Sequence, residues 1–573
     1  VDPRLVLSRV VLAACRLAPR NSIVCRRTQA LLCHSKLSTF SSMAAPPQRS
    51  NPKLSEGLPI PALRGVQDPI PVEFDSLIII ADSLTAVAEH VLSQFTADAT
   101  DEFNAAKSVD CALGNEVALA VCPSLPGRRL ILSPTGPVTR DYDDVRRVFD
   151  AAKKGLKRAV AAGSKRPVLA VALPHADGVI FRRMNEVALL GGLDELYRPL
   201  QAREFGVAHS VEEIGLLGLV DFDQVAQIQR GITVARDVGG CDPERMSPIK
   251  CAEYLQQQLS GSRVTVEVVT DLSDYPLASA VGRCSTVVER HRPVIVRLDY
   301  KPDGPPNSHV FFAGKGIVYD TGGADIKAGG IMAGMSRDKC GAATVAGFFK
   351  ALADGAGKSS YGTGVHFAAE LAFVRNSVGA DAYVSDEIIL SHAGVRVKVG
   401  NTDAEGRMVL SDCLSHLRLQ AVELVKQDPK ADIQLFSVAT LTGHAVRAVG
   451  PYSIAVENGP ARARGVGRHL VDVGDEWGDC FEISRLRRED YDFIQPKESD
   501  YDVLQANNLP SSGTSRGHQF PAAFLNISSG LDRHGLASDL PLAYTHLDIA
   551  GSASDKDFKT TGRPVTTLVT ALL

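Results

Sequence analysis

Short apolar runs alternate with amphipathic helical patterns along most of the 573 residues, and that alternation restricts the chain to α/β architectures. Between about 60 and 220 the strand-like runs are SLIIIADS, NEVALAVC, RRLILSP and PVLAVALP, interrupted by the amphipathic YDDVRRVFDAAKKGLKRAVAAG. VDFDQVAQIQRGITVARDV, residues 220–238, reads as one long helix joining two halves. Beyond it RPVIVRLDY, HVFFAG, GVHFAAELAF and IQLFSVATL read as strands, and GAATVAGFFKALADG and MVLSDCLSHLRLQAVELV as helices. The expected layout is an N-terminal α/β domain over 56–220, a linker helix over 221–245, and a C-terminal domain over 246–573. The first domain carries no recognisable catalytic constellation, which leaves it assembly or access control.

Residues 1–55 differ from the rest, being rich in arginine, serine and leucine with few acids, a composition resembling a mitochondrial transit peptide. Met43 is followed by a Pro/Ser/Asn-rich stretch, and the expectation is a disordered extension with a cytoplasmic product starting near Met43. A mitochondrial location follows instead if residues 1–42 are a genuine transit peptide. Lys and Arg number 62 against 66 Asp and Glu, a net charge of -4, so no basic field points to nucleic acid. No apolar run approaches the roughly 20 residues needed to span a bilayer. Eleven scattered cysteines without a CxxC pair argue against a disulfide framework or a cysteine zinc site. Cys340 reads as a small packing residue, and the Asn526-Ile-Ser528 sequon as a chance match.

The chemistry concentrates in two segments. Residues 401–407 read NTDAEGR, where the turn formers Asn401 and Gly406 bracket Asp403 and Glu405 in what is expected to be a loop or strand end. Two such acids repel unless a cation lies between them, and Arg407 adds a fixed positive fork for a small anion. Upstream, FFAGKGIVYDTGGADIKAGGIMAGMSRD, residues 311–338, places Lys315, Asp320, Lys327 and Asp338 in one glycine-dense stretch. Its leading apolar run is a candidate buried strand that delivers Lys315 and Asp320 to its C-terminal end. A phosphate cradle is the alternative, but GxxxxGK[ST] is absent and the acids at both ends suit a cation better.

GKGIVYDTGGADIK, MSRD and NTDAEGR together resemble the leucyl (cytosol) aminopeptidase family of two-metal exopeptidases, and GKGIVYDTGG and NSVGA resemble its animal branch. The likeness runs from ARDVGGCDPERMSP through ATLTG to HLDIAG and TGRP, more than half of the chain. It implies a C-terminal domain with a central mixed sheet flanked by helices and carrying a dinuclear metal site. Asp320 and Glu405 would be shared between two divalent ions, one completed by Lys315 and Asp338, the other by Asp403. A lysine ligand must be a neutral amine, which an adjacent dication enforces. Zinc or manganese is expected and magnesium possible. The resemblance further implies Lys327 as the electrophile beside the substrate oxygen and Arg407 as the holder of a bicarbonate general base, helped by backbone groups near Gly406 and Leu441. Met335, Thr440, Leu441 and Gly443 would line the pocket for the first substrate side chain.

The implied activity is release of N-terminal residues from peptides with a free N-terminus by a homohexamer. Arg337 before Asp338, Lys339 and Cys340 after it, and His444 depart from familiar members, which leaves a preference for leucine open. A catalytically silent structural oligomer and a nucleic-acid-binding regulator are the competing readings. The complete ligand set argues against the first, and the mild acidity against the second.

Overall fold

The apolar runs of the N-terminal half become β1 Ala62–Val66, β2 Ser76–Ala81, β3 Ala118–Val121, β4 Arg129–Pro134, β5 Pro167–Ala172 and β6 Glu213–Leu217. They form one sheet in the order β1-β6-β5-β2-β4-β3, parallel except where β3 lies antiparallel on β4. The computed structural model describes residues 60–67, 69–83, 97–174, 176, 178–356, 362, 364–509 and 513–573. The extension expected over 1–55, with Met43, lies outside them. β2 is buried along its whole length, as a central parallel strand covered on both faces must be. The helix Arg146–Ala161 covers one face with Val148, Ala152 and Leu156, all fully buried.

The C-terminal half is built on β7 Thr265–Val269, β8 Val294–Tyr300, β9 Ser308–Asp320, β10 Val365–Asn376, β13 Asp432–Ala439, β14 Ser453–Glu457, β15 Phe481–Arg485 and β17 Ala543–Asp548. Their order is β15-β14-β17-β13-β9-β10-β8-β7. A three-stranded sheet of β11 Ile388–Leu390, β12 Arg396–Lys398 and β16 Val503–Leu504 stands beside it. The large sheet is mixed, yet its four central strands β10, β9, β13 and β17 all run parallel. The C-terminal ends of adjacent parallel strands share one edge, and this is where open α/β sheets place their ligands.

The long helix expected between the halves spans Phe222–Gly240 and is capped by Asp221, whose carboxylate accepts the Gln224 N–H. It is more than a connector. Ile228, Val234 and Val238 are fully buried, and it packs along the helix Cys340–Gly355. Burying each such side chain is worth about 1.5–3 kcal/mol, so this helix is held by packing as well as by the chain it continues. NTDAEGR also departs from expectation: Thr402–Ala404 form one 3-10 turn, and Glu405, Gly406 and Arg407 open the helix Glu405–Gln427. The Asn401 side chain accepts the Asp403 N–H and starts that turn.

Candidate metal centre

Each central parallel strand brings one polar group to the shared edge. β9 ends on Asp320, β10 on Asn376 and β17 on Asp548, while β13 runs into Thr440–Gly443. Lys315 lies five residues before the end of β9 rather than at it, and its side chain passes under the first turn of the helix Glu405–Gln427. That path requires glycine at 406: a Cβ there would stand 2.5 Å from Lys315 Cε and 2.7 Å from Nζ. The glycine in NTDAEGR is therefore a packing requirement of the lysine, whatever its part in the turn.

Lys315 is 3% exposed and Glu405 1% exposed. Lys315 Nζ donates to Asp338 Oδ1 at 2.8 Å, lies 3.0 Å from Glu405 Oε1, and donates to the Thr440 carbonyl at 3.2 Å. Thr440 Oγ1 donates to Asp338 Oδ1 at 2.7 Å. Lys327 Nζ lies 2.8 Å from Asp320 Oδ2 and also pairs with Asp403 Oδ1. Asp320 Oδ1 accepts the Gly322 N–H and Asn376 Nδ2, both at 2.8 Å. Oxygens of Asp320, Asp403 and Glu405 lie within 4.8 Å of one another.

This crowding sets the electrostatics. Burial, then the charges of Asp320 and Glu405, push the Asp403 carboxyl up to about 7. Burial and the Asp320 charge raise Glu405, and burial raises Asp338 well above the usual carboxylate range. Burial alone would lower Lys315 and Lys327, but the surrounding carboxylates hold both ammonium groups above the ordinary lysine value. Four carboxylates face two lysines, so the cluster carries excess negative charge in a buried place, which divalent cations would neutralise. Asp338 Oδ2 is buried with no hydrogen-bond partner, a free lone-pair donor set among the others. The residues present fit a divalent metal on these grounds.

Asn376 escaped the sequence reading of the site, although it holds three of its parts: its Nδ2 also donates to the Thr402 carbonyl at 3.0 Å and lies 3.4 Å from Glu405 Oε2. The available signal was an amide at the end of a largely apolar strand. Asp325, Tyr383 and Gln505 were missed as well. Asp325 Oδ2 accepts the Thr402 N–H, the Tyr383 hydroxyl donates to the Thr402 carbonyl, and Gln505 Nε2 donates to the carbonyls of Asn401 and Ala404. Together they fix the acid-bearing turn from three sides. Second contacts of this kind orient metal ligands and are costly to remove.

Arg407 is buried, which pulls its guanidinium down to about 10 against the opposing charges of Glu405 and Asp548. Its Nη1 donates to the Gln505 carbonyl at 2.8 Å, the guanidinium lies 5.0 Å from the Phe520 ring centroid, and Nε is buried without a partner. The Leu441 N–H, expected to assist, is already donated to Asp548 Oδ1 at 3.1 Å. All the residues proposed from the sequence as metal ligands, catalytic groups or pocket lining, including Met335, Thr440, Leu441 and Gly443, line one cavity of about 390 Å³, together with Arg337 and His444. Cys340 is buried outside that lining, with its Sγ in the narrow gap beside Gly239. Asn526 is buried with its amide donated to the Tyr491 hydroxyl.

Comparison with known proteins agrees with this geometry. The catalytic-domain model of the cytosol aminopeptidase family matches residues 233–569, more than half of the chain. "Putative aminopeptidase W07G4.4" of Caenorhabditis elegans is 40% identical over 512 residues, covering 87% of this chain and 95% of that protein. A "Probable cytosol aminopeptidase" of Syntrophobacter fumaroxidans is 26% identical, covering 78% and 85%. Among solved structures, a tomato leucine aminopeptidase mutant superposes with a TM-score of 0.72 at 20% identity, covering 92% of this chain and 98% of that one. The bottromycin maturation enzyme BotP in complex with Mn gives 0.67 at 19%, covering 87% and 98%. These two share the fold. The sequence matches decide the family: the chain belongs to the cytosol aminopeptidase family and is a metalloaminopeptidase.

Proposed function

We propose that this enzyme releases N-terminal residues from peptides with two divalent ions held by Lys315, Asp320, Asp338, Asp403 and Glu405, zinc or manganese being the expected metals. The observation that carries the reading is the convergence of four carboxylates on two lysines in one cavity, with a buried Asp338 oxygen left unpartnered. When bound, the ions supply a Lewis-acidic centre that activates water and polarises the peptide carbonyl.

The protein's own groups do the rest. Lys327 Nζ, held between Asp320 and Asp403, is a fixed positive charge against the negative charge that grows on the carbonyl oxygen. Arg407, tethered to the Gln505 carbonyl and resting on Phe520, keeps a buried Nε–H free to hold a small anion. Bicarbonate is that anion in this proposal, supplying a general base when bound. Met335, Thr440, Leu441 and Gly443 would shape the pocket for the first side chain. The division into domains at 56–220, 221–245 and 246–573, a homohexameric assembly and a cytoplasmic site of action belong to the same proposal. Among the described residues no helix is long and apolar enough to cross a membrane.

The test is a panel of aminoacyl-coumarin substrates assayed after chelation and after readdition of zinc, manganese, magnesium or cobalt. Metal-dependent release of coumarin from wild type, with loss in Asp403→Ala, is expected. A metal-loaded protein that cleaves no member of the panel would sink the proposal.

A further inference from the structure

Among the described residues Arg337 is the cavity-lining arginine or lysine that neither the metal cluster nor the anion site uses. It lines the cavity beside Gly334, Met335, Asp338, Ala553 and Ser554. Its guanidinium lies against the Gly334 backbone so closely that a Cβ at 334 would stand 2.2 Å from Nη2. On its other side is the Phe558 ring, with the centroid 5.0 Å from Cζ. Among the described residues the guanidinium has no carboxylate within ion-pair distance and makes no hydrogen bond. Of the neighbouring charges, Asp555 acts on Arg337 from beyond ion-pair distance, and Lys339 is committed elsewhere. Asp555 Oδ1 accepts the backbone N–H groups of Asp557 and Lys559 at 2.9 and 2.8 Å, and Lys339 Nζ donates to the carbonyls of Cys241 and Ser336.

A second observation points the same way. Phe558 has φ of 61° and is 68% exposed. A bulky residue in the left-handed region costs of order 1–3 kcal/mol, and such strain persists where a site needs it. The strained turn spends this energy on holding an aromatic ring over Arg337, and the face of an aromatic ring holds a guanidinium in place while leaving its N–H edge available.

We propose that Arg337 is a specificity-determining residue that receives a substrate carboxylate, that of an acidic first residue, aspartate or glutamate. The inference rests on the aminopeptidase reading above and names its substrate class. A guanidinium edge matches a carboxylate with two parallel N–H···O bonds. Arg337 lines the same cavity as Met335 and Asp338, and with Met335 proposed to shape the pocket for the first side chain, the proposal puts the arginine on that side. The free C-terminus of a dipeptide offers the same chemistry, and the experiment separates the two.

Metal-loaded wild type, Arg337→Gln and Arg337→Lys are assayed on glutamyl- and glutaminyl-coumarin, and on Ala-Ala and its C-terminal amide. The glutamyl substrate is expected to lead its isostere in kcat/KM by about tenfold or more, the lower end for a charge-assisted hydrogen bond. The ratio should fall to near one in Arg337→Gln and be partly restored in Arg337→Lys, a rescue that a purely structural arginine would not give. A ratio near one in wild type, or one unchanged in Arg337→Gln, overturns the proposal. A preference for Ala-Ala over its amide that vanishes in Arg337→Gln also overturns it, by moving the carboxylate to the other end. If no substrate is cleaved, the aminopeptidase reading fails by itself. Calorimetric binding of glutamyl and glutaminyl hydroxamates still decides for Arg337: about tenfold tighter glutamyl binding, lost in Arg337→Gln, supports it, and equal binding overturns it.

Discussion

The two large sheets of this protein share an architecture and differ in what they do with buried charge. In the N-terminal sheet region Asp143 and Asp75 are matched by neighbouring donors, although Asp82 Oδ1, just past β2, is buried without a partner. Asp143 receives Arg140, Arg147 and the Arg140 N–H, and the Arg140 hydrogen bond, the largest influence, holds its carboxyl below the usual range. Asp75 accepts the backbone N–H groups of Lys165 and Arg166 as well as the Ser164 hydroxyl. At the C-terminal edge of the second sheet four carboxylates share two lysines, and Asp338, Asp403 and Glu405 are all pushed upward. A carboxylate held low by arginine is part of the scaffold. One held high among other acids is poised for a cation, and perturbation of this sort marks sites.

The strongest attempt to break the contrast is to remove a shared acid. Glu405→Ala should abolish metal-dependent cleavage and metal retention after dialysis, measured by elemental analysis, whereas Asp143→Asn in the first sheet should leave both intact. Loss of cleavage in both variants would show that the two regions do not differ as argued. Lys327→Ala should lower kcat by about 10²–10³-fold with little change in KM, the usual effect of deleting one preorganised electrostatic group. A rise in KM alone would place Lys327 in uniform substrate binding instead.

Gly406→Ala tests the packing under the acid-bearing turn. The added Cβ meets Lys315 Cε at 2.5 Å, and overpacking of this type costs about 1–3 kcal/mol, readable as a lower denaturation midpoint at unchanged m-value. The smallest effect concerns a buried acid of the second half that is away from the cavity. Asp412 accepts the N–H groups of Leu277, Ala278 and His392, yet burial raises it from 3.8 to about 6. A carboxyl raised by folding contributes stability that is complete below pH 3.8 and is lost as pH rises toward 6. Denaturant titrations across that window should show the decline in wild type and a flatter profile in Asp412→Asn.

Much of the site was legible because its chemistry is written in short segments. Lys315, Asp320, Lys327 and Asp338 fall within 24 residues of one another, and Asp403, Glu405 and Arg407 within five. The resemblance joined the two segments, and the packing of the helix Glu405–Gln427 against β9 gives the physical means. Asn376 and Gln505 were not legible, since an amide far along the chain announces nothing until folding brings it to a carbonyl it can satisfy, and Asp325, though inside the glycine-dense segment, has its partner Thr402 77 residues away. The start of the helix at Glu405 was misplaced for a related reason: turn residues and a helix N-terminus use the same polar letters, and only the Asn401 cap distinguishes them.

The amino-acid sequence by itself determined the alternation that makes an α/β protein, the acids and lysines that can hold metal, and membership of a family. Tertiary structure alone decided which of those charges lack partners. Arg337 and Arg140 look alike in the chain, but Arg140 is paired with Asp143, while Arg337 lines a cavity against the Phe558 ring with no ion pair among the described residues. Pairing is a property of distance, and distances between residues far apart in sequence exist only after the sheets have assembled.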